Sequence, residues 1–218
     1  AVAAAIRALT EPGDGVIIQR PVYYPFERLI RTNGRRLVNN PLVYRDGVYS
    51  IDFDDFEQKL VREKVKMFIL CSPHNPVGRV WTADELKRLG ELCASRGVIV
   101  VADEIHCDFV YPGYKYVSFG SLGDDMLQNS VICTAPSKTF NLAGLQLANI
   151  FIAGKRLRDR FKAELSGAGY GGASIFAMTA CRTAYDRCAP WLDALLDYLR
   201  GNLDLLRSSL AEKLPAVK

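Results

Sequence analysis

Four segments place side chains capable of chemistry directly after short apolar runs. They are RPVYYPF, SPHNPVG, DEIHCDF and APSKTFNLAGLQ, which contain Tyr23, Asn75, Asp103 and Lys138. A lysine shielded from water can form a Schiff base with a carbonyl compound. A nearby carboxylate can pair with a protonated ring nitrogen, while an amide can donate to an oxygen and a tyrosine can stack on a flat ring. This set of groups favours carbonyl chemistry on a nitrogen heterocycle.

Pyridoxal phosphate is the cofactor whose protein site joins a lysine to a carboxylate on the pyridine nitrogen. Taken singly, each of the four residues also has an ordinary structural interpretation. Lys138 could be a solvated charge, Asp103 a helix N-cap, Asn75 one residue of a turn and Tyr23 a core tyrosine. We prefer the cofactor site because four suitable residue types follow four separate apolar runs.

The elements that must hold these residues follow from the alternation of apolar runs with helical patterns, which is typical of a parallel sheet with crossover helices. We predict strands at 16–19, 66–71, 98–102, 131–134 and 147–152. Thr82 and Glu85 predict a capping box for the helix between the second and third of these strands. Ligands of such sheets bind beyond the carboxyl ends of the strands, where the four segments lie.

The composition excludes several classes of protein. The chain has 49% hydrophobic and 24% charged residues, typical of a globular domain. Its net charge of +4 does not indicate a nucleic-acid or membrane partner. The 6 cysteines form no CxxC pair, so neither a disulfide scaffold nor a metal site is indicated. A reducing cytoplasm is the expected location.

The four segments resemble the fold-type I pyridoxal-phosphate enzymes, specifically the class I/II aminotransferase superfamily. The resemblance runs from PGDGVIIQRPVYYPF through NPVG, VADEIH and SKTFNLAGL to the helical pattern that follows Pro190. It implies an α/β fold of three layers (αβα) with a mainly parallel central sheet, the large domain of this superfamily. It also implies four roles: the cofactor lysine for Lys138, the pyridinium partner for Asp103, the 3-oxygen ligand for Asn75 and the stacking aromatic for Tyr23.

Departures from the general aminotransferase pattern indicate one branch. His106 stands where aminotransferases usually carry a tyrosine, and Gln146 stands where an arginine usually binds the cofactor phosphate. In this form the motifs resemble the MalY/PatB branch of cystathionine β-lyases and cysteine-S-conjugate β-lyases. The branch resemblance implies that His106 lies near the ring 3-oxygen. Ser137 and the amides of a helix beginning near Ala1 remain as candidate phosphate ligands.

The implied reaction is an α,β-elimination that converts cystathionine or another cysteine S-conjugate to pyruvate, ammonia and a thiol. Transamination of amino acids would use Lys138, Asp103 and Asn75 in the same way, so it stays an alternative. An alternative of another class is the ligand-binding module of a transcriptional regulator, although the sequence contains no basic recognition helix.

The chain starts without methionine in a helical pattern and stops after a long amphipathic stretch. We therefore expect part of a longer protein, with a cofactor-binding large domain over 1–186 that lacks its N-terminal part. Residues 187–218 would be a long helix leading into a small domain that is largely missing. Because relatives of this type are typically homodimers with shared sites, we expect a homodimer at full length and little turnover from residues 1–218 alone.

Overall fold

A computed structural model of the chain describes residues 1–216. The helices are α1 (Val2–Leu9), α2 (Pro25–Thr32), α3 (Phe53–Arg62), α4 (Ala83–Ala94), α5 (Asp124–Gln128), α6 (Pro136–Thr139), α7 (Lys155–Gly167), α8 (Ile175–Arg187) and α9 (Ala189–Lys213). The strands are β1 (Gly15–Ile18), β2 (Arg36–Asn39), β3 (Val43–Arg45), β4 (Val48–Ser50), β5 (Val65–Cys71), β6 (Ile99–Asp103), β7 (Ser130–Thr134) and β8 (Asn149–Phe151).

Six of the strands form one sheet in the order β2-β1-β5-β6-β7-β8. All neighbours are parallel except β7 and β8, which are antiparallel. β3 and β4 form a separate antiparallel hairpin. The predicted fold class is therefore confirmed, because a mainly parallel sheet lies between helices on both faces.

Alternate residues of each central strand enter different cores, as the two-residue period of a strand requires. On one face, Phe68 and Val100 pack with residues of α3, α4 and α5. On the other face, Ile69 and Val101 pack with residues of α1, α2 and α7. The strands are apolar on both sides because helices cover both faces of the sheet.

Local signals in the sequence account for several element boundaries. Thr82 accepts from the backbone of Glu85, and the Glu85 side chain returns the bond, so the predicted capping box is present. The last helix, α9, continues through Gly201 for 25 residues. The apolar run at 147–152 predicts a strand covered on both faces. This prediction is wrong, because β8 is an edge strand whose Phe151 is exposed. No helix within residues 1–216 is long and apolar enough to cross a membrane.

Candidate active site

The predicted site residues follow four strands that are neighbours in the sheet. Tyr23 comes after β1, Asn75 after β5 and Lys138 after β7, while Asp103 is the last residue of β6. Because these strands are parallel, their carboxyl ends lie at one edge of the sheet. This edge, which we call the carboxyl edge, brings the four segments together around Asp103 at its centre.

Hydrogen bonds join the segments of the carboxyl edge to each other. His74 Nε2 lies 2.9 Å from the carbonyl oxygen of Pro21, which ties the turn containing Asn75 to the segment containing Tyr23. The amide of Ser72 donates to the Asp103 carbonyl at 3.0 Å, and the amide of Glu104 donates to the Cys133 carbonyl at 2.8 Å. These three hydrogen bonds therefore fix the segments relative to one another.

Asp103 is a desolvated carboxylate with little compensation from the protein. Its register neighbours are Cys71 on β5 and Cys133 on β7. Within residues 1–216 its carboxylate accepts one hydrogen bond, from Ile105 N at 3.3 Å, and has no salt-bridge partner. Burial raises the pKa of Asp103, while the hydrogen bond from Ile105 lowers it less strongly. The group lacks the close cation that a buried carboxylate requires.

The two flanking thiols reflect the same dry surroundings. The pKa of Cys71 is raised to about 12, mainly by burial and to a smaller extent by the nearby Asp103 carboxylate. The pKa of Cys133 is also about 12 for the same two reasons, of which burial is the larger. These thiols therefore stay protonated at neutral pH and line the site as small, weakly polar side chains.

Lys138 lies in α6, a helix of only four residues that follows β7. Its side chain is exposed, so the described residues do not shield this lysine from water as expected from the sequence, and it forms no salt bridge with any of them. His106 lies close enough to be affected by this charge: burial lowers the pKa of His106, and the Lys138 ammonium lowers it further. His106 and Lys138 therefore lie within electrostatic reach of each other.

Asn75 and Tyr23 occupy the opposite side of Asp103. Asn75 lies in a turn that is closed by a hydrogen bond from Gly78 N to the His74 carbonyl at 2.9 Å. The backbone N–H of Asn75 donates to Cys71 Sγ at 3.5 Å. Tyr23 packs edge-on against Phe26 with ring centroids 5.6 Å apart. Tyr23 is 41% exposed, so it is an open aromatic side chain and not the buried core tyrosine of the alternative interpretation.

The candidate phosphate ligands lie at two places. α1 begins at Val2 and packs on the face of the sheet that contains Ile69 and Val101. The first amides of a helix have no partner within it and can donate to an anion. Ser137 is partly buried beside Lys138, whereas Gln146 is exposed in a left-handed conformation with φ of 53°.

These groups fit pyridoxal phosphate in their donor and acceptor chemistry. The Asp103 carboxylate needs a positively charged N–H partner, which a protonated pyridine nitrogen supplies. Lys138 offers an amine for the cofactor aldehyde, and Tyr23 offers an open ring face. The fit depends most on Asp103, because the described residues leave that acid without a cation.

Two buried groups near the site were not identified as important from the sequence. His74, the residue before Asn75 in the SPHNPVG segment, is buried against Trp81 with ring centroids 5.4 Å apart. Burial lowers its pKa to about 4, so it is neutral at pH 7. Glu104 is 1% exposed and accepts from Ser118 Oγ, Phe119 N and the Tyr116 hydroxyl. The sequence offered one signal for Glu104, which is its position directly after Asp103 at the end of a strand. An acid buried at such a place needs hydrogen-bond donors from the protein.

One cavity lies beside the lysine segment rather than over Asp103. It has a volume of about 800 Å³ and lies between residues 140–142 and helices α8 and α9. Its lining is mainly apolar and includes Phe140, Phe176 and Trp191. None of the six predicted site residues lines this cavity, so the candidate active site is the carboxyl edge and not the cavity.

Comparison with known proteins identifies the family. A family model described as aminotransferase class I and II matches residues 1–218. The chain belongs to that family. Among curated members, it is 49% identical over 218 residues to cystathionine beta-lyase PatB of Bacillus subtilis, covering 100% of this chain and 56% of that protein. It is 35% identical over 211 residues to protein MalY of Escherichia coli, covering 96% of this chain and 53% of that protein.

A solved family structure shares the same fold. Cystalysin from Treponema denticola, whose crystal structure contains a pyridoxal 5'-phosphate cofactor, superposes with a TM-score of 0.96 at 36% identity. The match covers 99% of this chain and 55% of cystalysin. The chain therefore spans about half the length of the relatives it matches, and the predicted resemblance to the MalY/PatB branch is confirmed.

Proposed function

We propose that this chain is the cofactor-binding part of a pyridoxal-phosphate-dependent carbon–sulfur β-lyase. The protein would cleave cystathionine or another cysteine S-conjugate to pyruvate, ammonia and a thiol. The observation that carries the proposal is Asp103, a desolvated acid at the centre of the carboxyl edge for which residues 1–216 provide no salt-bridge partner. The 49% identity to a cystathionine beta-lyase supports the choice of reaction.

Each site residue has a proposed role in holding the cofactor. Asp103 would accept a hydrogen bond from the ring nitrogen, and Asn75 would donate to the ring 3-oxygen beside His106. Tyr23 would stack on the ring face, which its exposure leaves open. Ser137 and the first amides of α1 would bind the phosphate, since the family's usual arginine is replaced by Gln146.

When bound, pyridoxal phosphate would supply an electron sink for the negative charge that develops at the substrate α-carbon. Lys138 Nζ would remove the α-proton as a general base. Asp103, by staying ionised against a positive ring nitrogen, would keep that nitrogen protonated. His106, which carries little positive charge because of burial and Lys138, would donate or accept one hydrogen bond beside Asn75 without adding a cation.

We place the boundary of the cofactor-binding domain at residues 186 and 187. None of the 25 residues of α9 is buried, whereas α8 still buries Ala177 and Ala184 against the rest of the fold. We further propose that the whole protein is a cytoplasmic homodimer that acts on small amino-acid substrates. Residues 1–218 alone would show little turnover.

Product analysis of the full-length protein tests the reaction. The protein is loaded with pyridoxal phosphate and incubated with cystathionine, and pyruvate is measured with and without 2-oxoglutarate. We expect pyruvate in both cases. Glutamate formed from 2-oxoglutarate without pyruvate would show an aminotransferase and overturn the lyase proposal. A cofactor that binds but supports neither product would instead favour the ligand-binding module of a regulator.

A matched pair of variants assigns the chemistry to the carboxyl edge. Lys138→Ala should abolish pyruvate release because it removes the base. Lys162→Ala changes another exposed lysine, on α7 and outside the carboxyl edge, and should leave the rate unchanged. Equal loss of activity in both variants, or full activity in Lys138→Ala, would contradict the assignment.

A further inference from the structure

The segment that carries Lys138 cannot fix its own orientation. α6 contains one turn, with Phe140 N donating to the Pro136 carbonyl at 2.9 Å. An isolated turn of helix is unstable in water because its first hydrogen bond does not offset the entropy of ordering the backbone. The direction of the lysine side chain must therefore be set by contacts with other parts of the fold.

One such contact comes from the loop that follows Asp103. Thr139 is 0% exposed, and its Oγ1 donates to Asp108 Oδ2 at 2.6 Å. A hydrogen bond to a carboxylate is shorter and stronger than one between neutral groups. Asp108 therefore holds the residue directly after Lys138, across 31 positions of sequence.

The loop that provides Asp108 is itself anchored. Its beginning is held by the bond from Glu104 N to the Cys133 carbonyl at 2.8 Å. Its far end is held by the Glu104 carboxylate, which accepts from Ser118 Oγ at 2.9 Å and from Phe119 N at 2.7 Å. Because Glu104 is buried and connects both ends of the loop, Asp108 is presented from a fixed support.

We propose that Asp108 is a positioning residue that orients Lys138 through the Thr139 hydroxyl. The same loop carries His106, so one hydrogen bond couples the lysine segment to the Asp103 and His106 segment. Asp108 acts through Thr139 and touches none of the six predicted site residues in the contacts described. This role rests on the proposed function, because it matters only if Lys138 reacts with a cofactor.

The test compares three variants of the cofactor-free full-length protein after addition of pyridoxal phosphate. Thr139→Val removes the hydroxyl at nearly constant volume, Thr139→Ser retains it, and Thr32→Val changes an exposed threonine on α2 as a control. The rate of covalent attachment to Lys138 is followed by visible absorption. The visible circular dichroism of the bound cofactor reports its orientation.

Thr139→Val should slow attachment roughly 10- to 100-fold, as expected for loss of a hydrogen bond to a charged group. It should also change the circular dichroism band, whereas Thr139→Ser and Thr32→Val should match wild type. Wild-type behaviour of Thr139→Val would overturn the proposal, and so would a Thr139→Ser variant as slow as Thr139→Val. Failure of the wild-type protein to attach pyridoxal phosphate would instead refute the proposed function.

A second variant keeps the proposal testable if Thr139→Val does not fold. Asp108→Ala should slow attachment to a similar extent, with Thr139 intact. Where both single variants fold, the double variant should be no slower than either one, because both changes remove the same bond. Additive slowing in the double variant, or a wild-type rate in Asp108→Ala, would overturn the proposal.

Discussion

Asp103→Asn should have opposite effects on cofactor binding and on the stability of the cofactor-free protein. The change preserves the shape of the side chain and removes its charge. In the cofactor-free protein the carboxylate is desolvated and accepts a single hydrogen bond. In the cofactor complex, the positive ring nitrogen would compensate that charge.

The loss of binding follows from leaving a buried cation without its partner. Removing one member of a buried ion pair costs about 3–5 kcal/mol. At 1.36 kcal/mol for each factor of ten, the dissociation constant for pyridoxal phosphate should rise by roughly two to four powers of ten. Fluorescence titration of the full-length variant with the cofactor measures this constant.

The gain in stability follows from the raised pKa of Asp103. The folded state holds the Asp103 proton more tightly than the unfolded state, whose pKa is about 3.9. Its contribution to stability is therefore present below that value and is lost as pH rises through the folded pKa. Since asparagine does not titrate, the variant's free energy of unfolding relative to wild type should increase between about pH 4 and pH 7.

Urea unfolding of the cofactor-free protein at several pH values measures this difference. Asp204→Asn, at an exposed position of α9, provides the control and should show no such trend. An unchanged cofactor affinity in Asp103→Asn would refute the pairing with the ring nitrogen. A variant that becomes less stable relative to wild type as pH rises would refute the desolvation argument.

Three further predictions concern groups around the same edge. Lys138→Ala should eliminate the visible absorption band of the cofactor-loaded protein, and a retained band would contradict its role. Burial lowers the pKa of His74 to about 4, whereas an unfolded histidine takes up a proton near pH 6.5, so the free energy of unfolding should fall by about 3 kcal/mol from this residue as pH falls from 7 to 4. Urea unfolding of His74→Phe should lack this decrease, and a pH dependence equal to that of wild type would contradict the prediction. Glu104→Ala should lower the free energy of unfolding by roughly 2–4 kcal/mol and speed proteolysis of residues 105–118, because it leaves Ser118 Oγ and Phe119 N without their acceptor. Equal cleavage rates in the variant and the wild type would show that Glu104 does not hold this loop.

The centre of the sheet could be predicted because its strands are apolar on both faces. β5 and β7 differ from their predicted bounds by one residue at one end, and β6 differs by one residue at each end, since residues 67–71, 99–102 and 131–133 are continuously apolar. β2 was missed because it is an edge strand of only four residues, RLVN, that begins with the exposed Arg36 and ends with the polar Asn39. Its sequence therefore lacks the continuous apolar signal of a buried strand.

The site residues could be proposed from sequence because strand ends bring distant segments together. The bonds that hold those segments could not, because they depend on where loops return. Nothing in the sequence predicts that Thr139 meets Asp108 or that Glu104 reaches Ser118, since both contacts are set by the path of the loop after β6. His74 was underestimated for the same reason, because its bond to Pro21 requires β1 and β5 to be neighbours.

The most direct test of the account is to identify the residue that binds the cofactor covalently. Full-length protein is mixed with pyridoxal phosphate, reduced with borohydride and digested, and the labelled peptide is identified by mass spectrometry. The account predicts label on Lys138 in wild type and a large loss of that label in Asp103→Asn at the same subsaturating cofactor concentration. Label on a different lysine, or equal labelling of Lys138 in both proteins, would contradict the claim that these two residues hold one ring between them.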